Sequence, residues 1–218
     1  MSMRQFFCTI SLAWAGLAAA RAANPPPKLD SLLKGIEDHY NKVKTVQVDF
    51  VQTHTDRVRK TTEQGTLFLQ RPGRMRWQYS SPAGKLWVCD GKIVFEYDPE
   101  RKRVEKSKLK DEEDLRAPFA FLLGKLHFHD QFGSFDTNQE GPDTRIVAKP
   151  KSDKLLYTEV SFVAAPDFTI KRVTIKGQDG SVMDYVFQNE KRDLLLTDAL
   201  FKFAPSGDVE VVDTTKVN

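Results

Sequence analysis

Cysteine is nearly absent from this 218-residue chain: Cys8 and Cys89 are the only two, which excludes a disulfide-stapled scaffold and a thiolate metal framework. There is no phosphate-cradling glycine loop, no G-x-G-x-x-G, no G-x-S-x-G, no H-E-x-x-H and no C-x-x-C. The usual signatures of nucleotide, hydrolase, zinc-protease and redox chemistry are therefore missing. No apolar run reaches the ~20 residues of a membrane-spanning helix. Charge is nearly balanced, with 33 Lys and Arg against 30 Asp and Glu, and that balance argues against a nucleic-acid partner. What remains is 40% hydrophobic and long enough for one globular domain with a real core.

The first 22 residues read as an address. Arg4 precedes the apolar run Phe6 to Ala20, and Ala20-Arg21-Ala22 has the small-x-small pattern of a signal-peptidase site. Cleavage after Ala22 removes Arg4 and Arg21 and no acid, so the basic count falls from 33 to 31 against 30 acids, a net charge of +1. Cys8 leaves with the leader. It is not expected to be a lipid anchor, because Gln5-Phe6-Phe7 precedes it where small residues would be needed. The expected mature protein is one soluble, exported domain over residues 23–218 whose single thiol, Cys89, cannot form an internal disulfide.

After the stiff Pro25-Pro26-Pro27 spacer, Leu29, Leu32, Leu33, Ile36 and Tyr40 recur at helical spacing and predict an amphipathic helix over 28–42. From Val46 the period changes to two. Val46, Val48 and Phe50, then Leu67 and Leu69, then Met75, Trp77 and Tyr79 alternate with polar residues, as half-buried strands do. Arg71-Pro72-Gly73, Ser81-Pro82-Ala83-Gly84, Asp90-Gly91 and Asp98-Pro99 punctuate this stretch as turns. Further strands are expected near 144–149, 155–163, 169–176, 181–188 and 199–204. With no crossover helices between them, the pattern predicts an antiparallel meander with helices at one face. Pro118 is placed to open a short, nearly all-apolar helix through Phe119, Phe121, Leu122 and Leu123, expected to be buried or lid-like.

Side chains able to do chemistry are sparse. His127 and His129 would share one strand face and could ligate a metal, but no ligand framework surrounds them, so no metal or cofactor is expected. Glu112, Glu113 and Asp114 read as a dipole-favoured helix start, and Cys89 has no histidine near it in sequence. The chain is not expected to be an enzyme. Its prominent feature is an apolar sheet face. Alternation places Met75, Trp77 and Tyr79 together, puts Trp87 and Cys89 opposite Leu86 and Val88, and, with Glu96 assigned to water, turns Ile93, Phe95 and Tyr97 inward. Such a face is either an ordinary core or a curved surface reserved for lipid.

The run Leu67-Phe68-Leu69-Gln70-Arg71-Pro72-Gly73-Arg74-Met75-Arg76-Trp77, followed by Tyr79, Pro82, Asp90-Gly91-Lys92 and Tyr97-Asp98-Pro99, resembles the signature of the periplasmic outer-membrane lipoprotein carrier family, LolA. Val48-Asp49-Phe50-Val51-Gln52-Thr53 looks like that family's first strand, Ala117-Pro118-Phe119 like the opening of its lid helix, and Phe201 to Gly207 like its closing strand. The resemblance implies a mainly β fold with some α: an incomplete antiparallel β-barrel, a half-barrel whose concave apolar face is covered by helices.

It further implies a periplasmic chaperone that takes acylated lipoproteins from an inner-membrane ABC transporter and passes them to an outer-membrane receptor lipoprotein, acting as a monomer without covalent chemistry. Arg71 matches the family arginine that holds the lid, and its five N–H donors suit that task. Met75 stands where some members have phenylalanine. Trp77, Trp87, Phe119 and Leu122 match cavity or lid positions, and the apolar inventory adds Phe95 as a candidate contact with cargo. An alternative use of the same fold is an envelope-stress sensor or adaptor that binds lipid or protein without transferring cargo.

Overall fold

The computed structural model describes residues 28–109, 126–205 and 207–215. The leader and the predicted lid segment with Phe119 and Leu122 lie outside the described residues.

Helix α1 (Leu29–Asn41) forms where the spacing predicts it, and its periodic residues Leu32, Leu33, Ile36 and Tyr40 are all buried. Six strands follow as a meander: β1 (Thr45–Thr55), β2 (Lys60–Gln70), β3 (Arg74–Ser81), β4 (Leu86–Asp90), β5 (Ile93–Asp98) and β6 (Arg103–Lys108). A short helix, α2 (Phe128–Gln131), leads into a second meander of β7 (Phe132–Glu140), β8 (Asp143–Pro150), β9 (Tyr157–Ala164), β10 (Ile170–Gly177) and β11 (Val182–Arg192). A 3-10 turn (Asp198–Phe201) and β12 (Glu210–Asp213) complete the order.

The two meanders join along β1 and β11, giving one open sheet in the order β12-β6-β5-β4-β3-β2-β1-β11-β10-β9-β8-β7. Its curl can be read from the rings. Trp77 on β3 and Tyr185 on β11 are three strands apart, ~14 Å in a flat sheet. Their ring centroids nevertheless lie 5.4 Å apart, so the sheet bends toward the face they share. This is the open half-barrel expected.

Register assigns every side chain to a face. Val46, Leu69, Met75 and Cys89 stand opposite one another in successive strands; so do Val48, Leu67, Trp77 and Trp87. On the other meander Tyr185, Val173, Phe162 and Ile146 continue the same inner face, and all of these belong to one buried cluster that includes the α1 residues. Gly65 sits between Phe50 and Tyr79, where a Cβ would stand 2.0 Å from the Gln78 carbonyl oxygen, so no larger residue fits without moving backbone.

Several expectations are corrected. Ile93, Phe95 and Tyr97 do not face inward. The two-residue turn after Asp90 pairs Cys89 with Val94 and Trp87 with Glu96, which brings Val94 and Glu96 to the inner side and sends Phe95 to the outer. There Phe95 and Tyr97 meet Phe203, at 5.8 and 5.4 Å between ring centroids. Val88, Val104 and Phe201 are also buried outside the main cluster, so the outer face of this meander has a small apolar layer of its own.

The strand expected at 199–204 is instead the 3-10 turn and an extended stretch that lays Phe201 on that layer, tied by Arg76 Nη1 to the Leu200 carbonyl at 3.1 Å. Nor is the sheet wholly antiparallel, because β12 pairs parallel to β6. β7 has no clear alternation in sequence; it forms because β8 offers it a full hairpin partner across Gly141, whose φ is 61°. His127 and His129 do not share a strand, since α2 begins between them.

Candidate functional site

The inner face is apolar over most of its width. Trp77 lies at its centre, 0% exposed, edge-on to Phe50 at 4.8 Å, with its indole N–H directed at the Met75 sulfur at 2.8 Å. Met75 and Trp87 are buried beside it, so three of the predicted contact residues come together on adjacent strands. Phe95, also expected to meet cargo, is on the other side of the sheet.

One margin of the face is polar. Tyr79 Oη donates to Gln52 Oε1 at 3.2 Å, Gln52 Nε2 reaches Glu63 at 3.4 Å, and Lys85 pairs with Glu63 at 2.7 Å while lying over the Tyr79 ring. These groups satisfy one another, which removes most of the penalty of their burial.

Two clamps tie α1 to the rest of the molecule, and neither is visible in the sequence. In the first, Tyr40 Oη donates to Glu190 Oε2 at 2.8 Å and accepts the Ile170 N–H at 2.9 Å. His39 lies 3.3 Å from the same carboxylate, and Arg192 flanks both. Burial, followed by the Glu190 charge, raises the Tyr40 hydroxyl well above its usual 10.0. The sign follows directly: above pH 10 the unfolded chain releases this proton while the folded protein keeps it, so stability contributed at lower pH is lost as pH rises. Tyr40→Phe is expected to cost about 1–2 kcal/mol at neutral pH by removing these hydrogen bonds. It should also flatten the alkaline loss, and urea unfolding at pH 8 and pH 11 measures both effects.

In the second clamp, Asn41 donates from Nδ2 to the Leu126 carbonyl at 2.9 Å and accepts the Leu126 N–H on Oδ1 at 2.6 Å. Glu37, one helical turn earlier, accepts the Phe128 N–H at 2.8 Å. Arg71 Nη1 approaches Asn41 Oδ1 at 3.5 Å, and partial burial lowers its guanidinium pKa. Arg71 therefore stands at the end of α1, beside the point where the chain returns from the segment that carries Phe119 and Leu122. Asn41 and Glu37 are one turn apart on a helix and form a polar stripe that the sequence does show, but their partners are about 90 residues away in the chain.

His127 and His129 point toward α1 acids, at 3.7 Å from Glu37 and 3.9 Å from Asp30. Among the described residues no three His, Cys, Asp or Glu side chains gather to hold a metal ion. Cys89 is fully buried, with its sulfur near the Gly91 N–H at 3.4 Å. No described helix is long and apolar enough to cross a membrane. Between α1 and the inner face there is a residual apolar gap of about 20 Å³, lined by Tyr40, Val48, Leu67, Leu69, Val173 and Phe187 among others. A gap of that size holds about one water and is far too small for an acyl chain.

Residues 41–204 match the family described as outer membrane lipoprotein carrier protein LolA. The outer-membrane lipoprotein carrier protein of Chromobacterium violaceum is 27% identical over 198 residues, covering 91% of this chain and 92% of its own. That of Aeromonas salmonicida is 31% identical over 167 residues, covering 75% and 80%. Among solved structures, an uncharacterized conserved protein from Thermus thermophilus superposes with a TM-score of 0.51 at 17% identity, covering 84% of this chain and 98% of its own, a likeness of fold. The family match spans about three quarters of the chain, and the Aeromonas salmonicida relative is 31% identical over most of both chains: the chain belongs to the LolA family of outer membrane lipoprotein carrier proteins.

Proposed function

We propose that this protein is a periplasmic carrier of lipoproteins, which shields the acyl chains of its cargo against the inner face of the half-barrel. The observation that carries the reading is that this face is a broad apolar surface against which helix α1 buries its own side chains. Burying a C16 chain is worth roughly 12 kcal/mol, about 15 methylenes at ~0.8 kcal/mol each. Leu32, Leu33 and Ile36 together contribute about 5–9 kcal/mol on the same scale. One acyl chain thus gains somewhat more on this face than α1 does, so an acyl chain can displace the helix without an external energy source.

In this reading α1 and the segment with Phe119 and Leu122 together cover the concave face in the cargo-free state. Met75, Trp77 and Trp87 meet the acyl chains once the cover moves, and Arg71 holds the cover through the end of α1. The mature chain starts at Ala23, forms one domain and works as a monomer. It receives cargo from an inner-membrane ABC transporter and delivers it to an outer-membrane receptor lipoprotein. No bond is made or broken, so no catalytic residue or cofactor is assigned.

The test is recovery and transfer of cargo. The mature protein purified from envelope extract is expected to carry acylated lipoproteins and to release them from inner-membrane vesicles into solution. Arg71→Leu is expected to retain cargo and slow its delivery by about tenfold or more, since losing a charged hydrogen-bonding group favours the open state by about 1.5–3 kcal/mol. Empty protein that releases nothing would overturn the carrier reading, and a regulatory partner recovered in place of cargo would favour a sensor. Unchanged delivery by Arg71→Leu would remove that residue from the mechanism.

A further inference from the structure

The loop between β11 and the 3-10 turn has three successive leucines, Leu194, Leu195 and Leu196, and Leu195 is completely exposed, at 102%. A lone exposed leucine needs no explanation. This one is different because its loop is held rather than frayed. The Asp193 N–H donates to the Thr45 carbonyl at 2.9 Å, the Asp193 carboxylate accepts the Lys44 N–H at 3.1 Å, and Thr45 Oγ1 donates to the Leu194 carbonyl at 2.8 Å. A pinned backbone presents the leucine outward.

Exposed cations stand on the two chain segments that carry this tip. Lys42 and Lys44 lie on the chain that enters β1, and Lys191 and Arg192 end the strand beside it. Of the neighbouring acids, Asp198 pairs with Arg74 and Glu190 with Arg192, which leaves Asp193 against Lys42, Lys44 and Lys191, a formal local excess of +2. A mature chain with a net charge of only +1 therefore concentrates an excess of positive charge, carried by its lysines, on the segments beside the most exposed leucine among the described residues.

We infer that this loop docks the protein reversibly on an anionic phospholipid surface. The leucine side chain enters the boundary between headgroups and acyl chains, while the lysines keep their charges at the lipid phosphates. A bilayer suits the shape better than a protein groove, because it yields around a protruding tip and needs no matching concavity. Docking of this strength is transient, since stable anchoring needs more apolar surface than one loop provides. The inference is independent of what the inner face binds.

The experiment is co-sedimentation of the mature chain with vesicles of phosphatidylethanolamine and phosphatidylglycerol, set against vesicles of phosphatidylcholine, at low and high salt. Binding is expected to the anionic vesicles only and to weaken with salt. Leu195→Glu, and separately Lys42→Glu with Lys44→Glu, are expected to reduce it about tenfold or more. Arg57→Glu with Arg59→Glu, at the far end of β1 and ~35 Å away, is expected to leave it unchanged. Thermal melting of each variant verifies folding. No sedimentation, equal binding to neutral vesicles, or an equal loss in the far-end variant would overturn the proposal. So would a Leu195→Glu protein that binds vesicles normally but fails to deliver cargo to an acceptor protein, which would reassign the loop to a protein contact.

Discussion

Trp77→Ala is expected to lower the stability of the folded protein by about 3–5 kcal/mol, which for a chain of this size is a drop in melting temperature of roughly 10 °C. Trp77 is completely buried, and its ring touches Phe50 and Tyr185 from strands on both sides of the β1–β11 seam. Its removal therefore opens a void where the two meanders meet, and a close-packed interior closes such a void only in part. The carrier reading adds a second expectation. A saturated fatty acid or alkyl detergent that fills the void should restore part of the lost melting temperature in Trp77→Ala by mass action. Differential scanning calorimetry with and without the ligand measures both. A loss below about 1 kcal/mol would mean that the face is loosely packed around Trp77 and that the energetic comparison between helix and acyl chain is misplaced.

Glu190→Ala is expected to cost about 2–4 kcal/mol, because it removes the acceptor for the Tyr40 hydroxyl and leaves His39 and Arg192 without their shared carboxylate. The Glu190 and His39 side chains are only 11% and 8% exposed, so water replaces the lost partner poorly. Glu190→Gln keeps an acceptor for Tyr40 and is expected to lose only about half as much. The two substitutions separate hydrogen bonding from charge. Hydrogen exchange in α1 supplies a second readout: amides of residues 32–41 should exchange faster in Glu190→Ala than those of β1, as expected for a helix whose clamp is released while the sheet stays folded. If α1 and β1 lose protection together, the clamp belongs to the global fold and not to a movable helix.

The elements that can be read in advance share a physical origin: their periodicity is local. Leu32, Leu33, Ile36 and Tyr40 recur every three to four residues and Met75, Trp77 and Tyr79 every two, and each pattern places its own residues on one face whatever the rest of the chain does. The turns are equally legible, because Gly73, Gly84 and Gly91 supply the positive φ that those turns require. Phe95 fails for a specific reason. Its assignment rests on Glu96 facing solvent, yet near the margin of an open half-barrel an inward position still reaches water, and Glu96 is only partly buried there. The polarity of one side chain is a weak guide to facing; the length of the Gly91-Lys92 turn decides it by setting register.

The C-terminal segment cannot be read in advance because its pairings are remote. Phe201 and Phe203 look like strand residues by spacing, but the outer face of β3 to β6 offers them an apolar layer of Val88, Val104, Phe95 and Tyr97 that exists only after the meander has formed. β12 then joins β6 in parallel, its Asp213 paired with Lys106 at 2.9 Å. The clamps on α1 are hidden in the same way. Nothing near Asn41 in sequence announces Leu126, and nothing near Tyr40 announces Glu190.

The sequence by itself determined the class of fold, the faces of most strands, the amphipathic helix and, through the Leu67 to Trp77 signature, the family. Those properties follow from local periodicity, turn chemistry and a linear motif. The tertiary structure alone decided that Phe95, Tyr97, Phe201 and Phe203 form an outer layer, how α1 is fastened, and that lysines from two remote segments meet beside the Leu195 loop. Each of these depends on contacts between residues far apart in the chain, whose geometry is set only when the two meanders close along β1 and β11.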